Sequence, residues 1–219
     1  MNTGNEIVEK KEKLKTICDT TLRNCINTKK RLNLNDLFSK FILSYYSVFL
    51  IILTITGKYF EKFNDHLSEY FGIIISVVLL VFSLINSNSK YEIRVIKLDQ
   101  SINNLKTLKR NISDIKDEKG IIDSKESYNK IVDKTEMRSD LDFFKTVKEL
   151  HLERGISRWN FYINPSLGAT AAGIDDKLKE YRSALNVMYF FIRELIVSIL
   201  RLIILLIPIF ITVMCIIID

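Results

Sequence analysis

Two histidines, three cysteines and one close pair of carboxylates are the groups in this 219-residue chain whose chemistry could be put to work. None has the company that catalysis or metal binding needs. His66 lies between two apolar blocks and His151 in a charged stretch, neither with a second ligand at metal spacing. Cys18 and Cys25 sit seven residues apart in a basic segment, and Cys215 lies in an apolar one. Three cysteines cannot all pair, and no CxxC occurs, so they read as free thiols in a reducing compartment. Asp140 and Asp142 flank Leu141. Two positions apart on a helix they diverge by about 200°, which suits a solvated face or a helix cap better than shared acid–base work. No glycine-rich phosphate loop and no G-x-S-x-G is present. Asn111-Ile-Ser matches a glycosylation acceptor but falls in a stretch expected to be cytoplasmic. No catalytic residue, cofactor or metal is expected, and the chain does not read as an enzyme.

The elements that carry these groups are helices. Apolar residues are 47% and charged residues 26%, with only two prolines and seven glycines. So few breakers disfavour sheets joined by tight turns. The apolar residues also segregate into blocks. Phe38–Gly57 holds one charge, Lys40, and Phe71–Ser87 holds none. At 1.5 Å per residue these reach roughly 30 and 25 Å, enough for a bilayer core with modest thinning. Leu202–Ile218 is a third block, entered at Arg201, whose stem can snorkel to headgroups, and interrupted by Pro208, which should kink it. Starting that span at Leu195 would bury Arg201, at a cost of about 2.5–3.5 kcal/mol, so the later start is preferred. The expected fold is an all-α integral membrane protein: a transmembrane hairpin continuing into cytoplasmic antiparallel helices, plus a C-terminal transmembrane helix. The first 30 residues lack the apolar core of a cleavable signal peptide.

Positive charge sets the orientation. Nine Lys/Arg precede the first span, counting Lys40; two lie in 58–70; twenty lie between the second span and Arg193. The N-terminus should therefore be cytoplasmic, the 58–70 connector external, and Asp219 external. The basic charge needs no nucleic acid to explain it.

The expected organisation is an amphipathic cytoplasmic helix within 1–37, spans at 38–57 and 71–87 around the connector, stalk helices over 88–150, an irregular segment over 151–186, and a lead-in and third span over 187–219. In the first helix Ile7, Leu14, Cys18, Leu22 and Cys25 repeat at helical spacing. Its basic face suits anionic lipid, and its apolar face suits the other helices. From Tyr91 a heptad-like stripe runs through Val95, Leu98, Ile102 and Leu105 to Ile115. With no breaker before it, one helix should continue from the second span. Residues 117–124, with Gly120, should turn into a shorter helix over 125–150 that carries Tyr128, Ile131, Val132 and Thr135 on one face. In 151–186, glycines and a proline break any helix, and Trp159 among aromatics suits either the membrane interface or packing on the stalk.

Polar residues inside the spans share faces. Ser44, Ser47, Ile51 and Thr54 follow a 3-4-3 spacing; Gly72, Ser76, Leu79, Ser83 and Asn86 follow a 4-3-4-3 spacing. Such faces should turn toward protein or water. Gly72 and Ser76 also make a small-xxx-small packing pair. A hydroxyl-lined path without a ring of charge would be weakly selective. Two or three helices cannot enclose such a path, so a pore needs a homo-oligomer, for which the stripe Val95, Leu98, Ile102, Leu105 is a candidate contact. The alternative is an interaction module whose spans only tether the cytoplasmic helices.

The order of parts, with Phe82-Ser83-Leu84 running into Tyr91-Glu92-Ile93-Arg94, and Tyr128-Asn129-Lys130-Ile131-Val132-Asp133-Lys134 followed by Ser139-Asp140-Leu141-Asp142-Phe143, resembles the SLATT family. These are two-helix membrane effector domains of bacterial nucleotide-signalling and reverse-transcriptase conflict systems. The resemblance covers roughly residues 5 to 150, and the type with a further C-terminal hydrophobic helix is nearest. Family members often have a histidine where this chain has Arg138 and a tyrosine where it has Phe143, so any role of those two groups does not carry over. The resemblance implies an anti-phage effector that forms pores in, or disrupts, the bacterial inner membrane as a homo-oligomer, causing cell death or arrest. It also implies an upstream partner, a nucleotide-signalling sensor or a reverse transcriptase.

Overall fold

A computed structural model describes residues 3–59, 65–115, 117–136, 139–153 and 184–217. Among them are six helices: α1 (Thr3–Tyr59), α2 (Asp65–Asn88), α3 (Tyr91–Asp114), α4 (Glu118–Asp133), α5 (Asp140–Glu153) and α6 (Ala184–Ile217). Between Asn5 and Thr56 the sequence has neither glycine nor proline, so nothing ends α1 at residue 37, where the lead-in was expected to give way to the span.

The chain divides into two compact units, Met1–Asn33 with Tyr91–Phe190, and Leu34–Lys90 with Phe191–Asp219. In the first, the polar unit, the early part of α1 is the central element. Lys29 pairs with Asp99, at 2.6 Å, and Asp19 with Lys109, so α3 runs antiparallel to α1. Lys10 reaches Glu118 at 2.9 Å and Thr21 the Tyr128 hydroxyl at 2.8 Å, so α4 runs parallel to it. Arg23 meets Glu153 at 2.6 Å and Arg31 meets Asp142 at 3.0 Å, so α5 is antiparallel again.

The core of this unit follows from period. Leu14, Cys18, Leu22, Cys25 and Leu32 of α1 close on Leu98, Ile102, Leu105, Leu108 and Ile112 of α3, and Ile121 of α4 joins them. Burying each such leucine or isoleucine contributes about 1.5–3 kcal/mol. The stripe proposed above as an oligomer contact is consumed here: Leu98, Ile102 and Leu105 are buried against α1 and Val95 partly so. The amphipathic face of the lead-in is what covers it.

In the second, apolar unit, Ile42, Tyr46, Phe49 and Leu53 of α1 pack with Ile75 of α2 and Ile211 and Cys215 of α6. The Ser68 hydroxyl donates to the Leu53 carbonyl at 3.1 Å and ties the start of α2 to the end of α1. Helices α1, α2 and the 191–217 part of α6 are each long and apolar enough to cross a membrane. Of their most apolar stretches only 17%, 11% and 17% is buried, so most of their surface is left open among the described residues.

Three expectations about breaks are corrected. The helix expected to run on from the second span stops at Asn88, and Lys90 adopts a left-handed backbone (φ 47°) before α3 begins. Asn86-Ser87-Asn88-Ser89 precedes it, and such side chains compete for backbone partners; Ser89 Oγ donates to the Ile85 carbonyl at 2.9 Å. The turn expected over 117–124 is shorter: Asp117 caps α4, accepting from the Gly120 N–H at 3.3 Å. A Cβ on Gly120 would lie 2.9 Å from that carboxylate oxygen and 3.0 Å from Ile115, which is why glycine suits this first turn. The helix expected over 125–150 is two helices, because Ser139 and Asp142 start α5 afresh. On α4, Tyr128 and Ile131 face the core as expected, but Val132 points outward.

Candidate functional site: a buried carboxylate clasp and the polar positions of the spans

The Asp142 side chain is fully buried, which overturns the solvated face expected for it. Its helix-capping role is real. The Ser139 N–H donates to Asp142 Oδ2 at 3.3 Å, and the Asp142 N–H to Ser139 Oγ at 3.4 Å, a reciprocal cap on α5. The same carboxylate then reaches across to α1. Arg31 Nε donates to Oδ1 at 3.0 Å, Arg31 Nη2 to Oδ2 at 3.0 Å, and the Thr28 hydroxyl to Oδ2 at 2.9 Å. Burial pushes the Asp142 carboxyl up, but hydrogen bonds from Arg31 and Thr28 hold it below the usual carboxylate range.

Along the same seam Asn27 Nδ2 donates to Thr146 Oγ1 at 3.0 Å and to Glu149 at 3.2 Å. One turn before Thr28, Asn24 is 3% exposed and neither of its amide atoms has a partner. Hence α1 meets α3 through a hydrocarbon core flanked by the Lys29–Asp99 and Asp19–Lys109 ion pairs, and meets α5 through buried hydrogen bonds and ion pairs. The family words fall on these joints. Tyr128 bonds Thr21, Ser139 and Asp142 form the clasp, and Phe143 is buried, whereas Asp133 and Asp140 are exposed.

In the apolar unit the polar side chains divide into two sets. Ser44, Ser47, Thr54 and Ser76 donate to the carbonyls four residues back, at 3.0, 2.7, 2.8 and 2.8 Å, and are exposed. Ser83 is exposed too, and Leu79 packs on the cluster. Gly72 and Asn86 are half-buried; a Cβ on Gly72 would meet nothing within 4 Å, and Asn86 Oδ1 is shielded without a partner. The second set links helices and was not anticipated. Arg201 Nη2 donates to Asn35 Oδ1 at 3.1 Å, with the guanidinium 5.0 Å from the Phe38 ring. The Tyr46 hydroxyl donates to the Ile204 carbonyl at 2.6 Å and the Tyr45 hydroxyl to the Leu205 carbonyl at 3.2 Å.

Residues 7–214 match the family described as SMODS and SLOG-associating 2TM effector domain family 5. The chain belongs to that SLATT family. The match extends the resemblance read from residues 5 to 150 through α6, so the helix bearing Arg201 and Pro208 lies within the SLATT domain although the description counts two transmembrane helices. The SLATT clasp and both sets of span contacts therefore lie inside the matched region. Comparisons with curated proteins and with solved structures return no match.

What sequence reasoning missed had a signal in part. Two tyrosines side by side in an apolar run, and a proline inside a third, jointly imply a donor seeking an acceptor. Nothing in the spacing of Thr28 and Arg31 marked them as the partners of Asp142. Of the segment expected to be irregular over 151–186, both ends (151–153 and 184–186) are helical, while the rest, Trp159 included, lies outside the described residues, as does Arg138.

Proposed function

We propose that this SLATT chain is a membrane effector rather than an enzyme, and that it assembles as a homo-oligomer in the bacterial inner membrane to permeabilise it when a conflict system is triggered. The observation that carries the reading is the state of the span hydroxyls. Ser44, Ser47, Thr54 and Ser76 find partners only on their own helix and stand exposed in a single chain. Packing within the chain does not account for them, since even Gly72 has no close neighbour where its side chain would be. In a bilayer such faces are stabilised by a second copy or by water.

With Leu98, Ile102 and Leu105 occupied by α1, the span faces are the better surface for self-association. The polar unit is the natural receiver of the upstream signal, whether from a nucleotide-signalling sensor or a reverse transcriptase, and it needs no direct contact with nucleic acid.

Expression with a membrane-potential dye tests this. The parent should depolarise cells, and Ser83→Leu should abolish depolarisation at unchanged membrane abundance. Toxic Ser83→Leu protein at normal abundance would remove Ser83 from the path. A parent whose oligomer forms without depolarising would favour the tether, in which the spans only hold the polar unit at the membrane.

A further inference from the structure

Pro208 lies nine residues before the described end of α6 at Ile217 and has no N–H. In a regular helix that N–H would serve the carbonyl four residues earlier, so the Ile204 oxygen loses its intrahelical donor. In hydrocarbon no water replaces it. The Tyr46 hydroxyl of α1 fills the vacancy at 2.6 Å, and the Tyr45 hydroxyl donates to the next carbonyl, Leu205, at 3.2 Å.

Both rings are set for this. Tyr45 stacks on Phe41 with centroids 5.9 Å apart and meets Tyr46 edge-on at 5.7 Å. Tyr46 is buried in the cluster that includes Ile211 and Cys215 of α6. Below the proline turn the Thr212 hydroxyl returns to the Pro208 carbonyl at 2.9 Å. The vacancy that the proline leaves at Ile204 is thus filled from α1.

We propose that Tyr46, seconded by Tyr45, is a positioning residue that stands in for the missing Pro208 N–H, and that this phenol-to-carbonyl latch holds α6 on α1 in the resting effector and must open for the membrane to be breached. The mechanism rests on the permeabilising function proposed above. A side-chain donor can be withdrawn where a backbone donor cannot. Pro208 makes α6 a span whose backbone bonding depends on a neighbour, while α2 contains no proline. When Tyr46 lets go, the Ile204 carbonyl must find water or another donor. Either outcome favours a hydrated, rearranged α6 over one lying dry against α1.

Tyr46→Phe keeps the ring and removes only the donor. Pro208→Ala returns an N–H to the Ile204 carbonyl, so it should make the phenol dispensable. Two readouts separate this proposal from the permeabilisation reading. In purified full-length protein in detergent, Tyr46→Phe should lower thermal stability in the Pro208 background and leave it nearly unchanged in Pro208→Ala. In cells, Tyr46→Phe should depolarise at roughly tenfold lower expression than the parent, and adding Pro208→Ala should restore the parental threshold. An equal stability loss in both backgrounds would overturn the latch and leave Tyr46 as packing. A coupled stability effect with an unmoved threshold would overturn its control of activity. A parent that never depolarises would sink the permeabilisation reading and with it that control, while the stability comparison would still decide the latch.

Discussion

Replacing Arg31 by alanine tests whether the clasp is an ion pair in energy as well as in geometry. Asp142 is 0% exposed and Arg31 26%. Removing one member of a buried pair costs about 3–5 kcal/mol, because the other is stranded. Arg31 is partly hydrated and Thr28 and Ser139 go on donating to the carboxylate, so we expect about 2–3 kcal/mol for Arg31→Ala. Asp142→Asn should cost less, since it strands only the cation, which can turn to water. At 1.36 kcal/mol per decade, Arg31→Ala should lower hydrogen-exchange protection of the α5 amides by about 30- to 150-fold in lipid nanodiscs. The α3 amides, whose contacts with α1 do not involve Arg31, should change far less.

The pH dependence has a defined sign. In the parent, the depressed Asp142 pKa means that its contribution is present above the ordinary carboxylate value and is lost as pH falls through the lower folded value. Without Arg31, burial dominates and the carboxyl rises above its unfolded value, so the variant's deficit should shrink as pH is lowered toward 5. Equal costs for Arg31→Ala and Asp142→Asn, or a deficit that widens in acid, would refute the ion-pair account.

Three further outcomes are expected. Leu98→Ala, at a position 1% exposed, should destabilise the polar unit by about 2–5 kcal/mol while leaving crosslinked oligomer size unchanged, read by denaturant melts and by crosslinking. Cys18 and Cys25 are buried, and burial pushes both thiols up to about 11, so maleimide should label them in the native protein far more slowly than in denatured protein. Reporter fusions at Asp65 and Asp219 should both read as external; a cytoplasmic signal at Asp219 would remove the third crossing.

The apolar blocks, their helical state and the three candidate spans follow from the sequence alone, because a run of uncharged residues without breakers has one way to satisfy its backbone in lipid. The stripe of α3 was equally legible from its period. Its partner was not, since a period says which face is apolar and not which helix covers it. The tertiary structure assigned that face to α1 and left most of the described span surface exposed. Asp142 shows the same division. Its place after Ser139 announced a helix cap, a local device, but its burial beneath Arg31 depends on residues 111 positions away. Pro208 announced a carbonyl without a donor four residues earlier. Only the packing of α6 on α1 decided that Tyr46 would supply it, because hydrogen-bond vacancies are local in sequence and their remedies are local only in space.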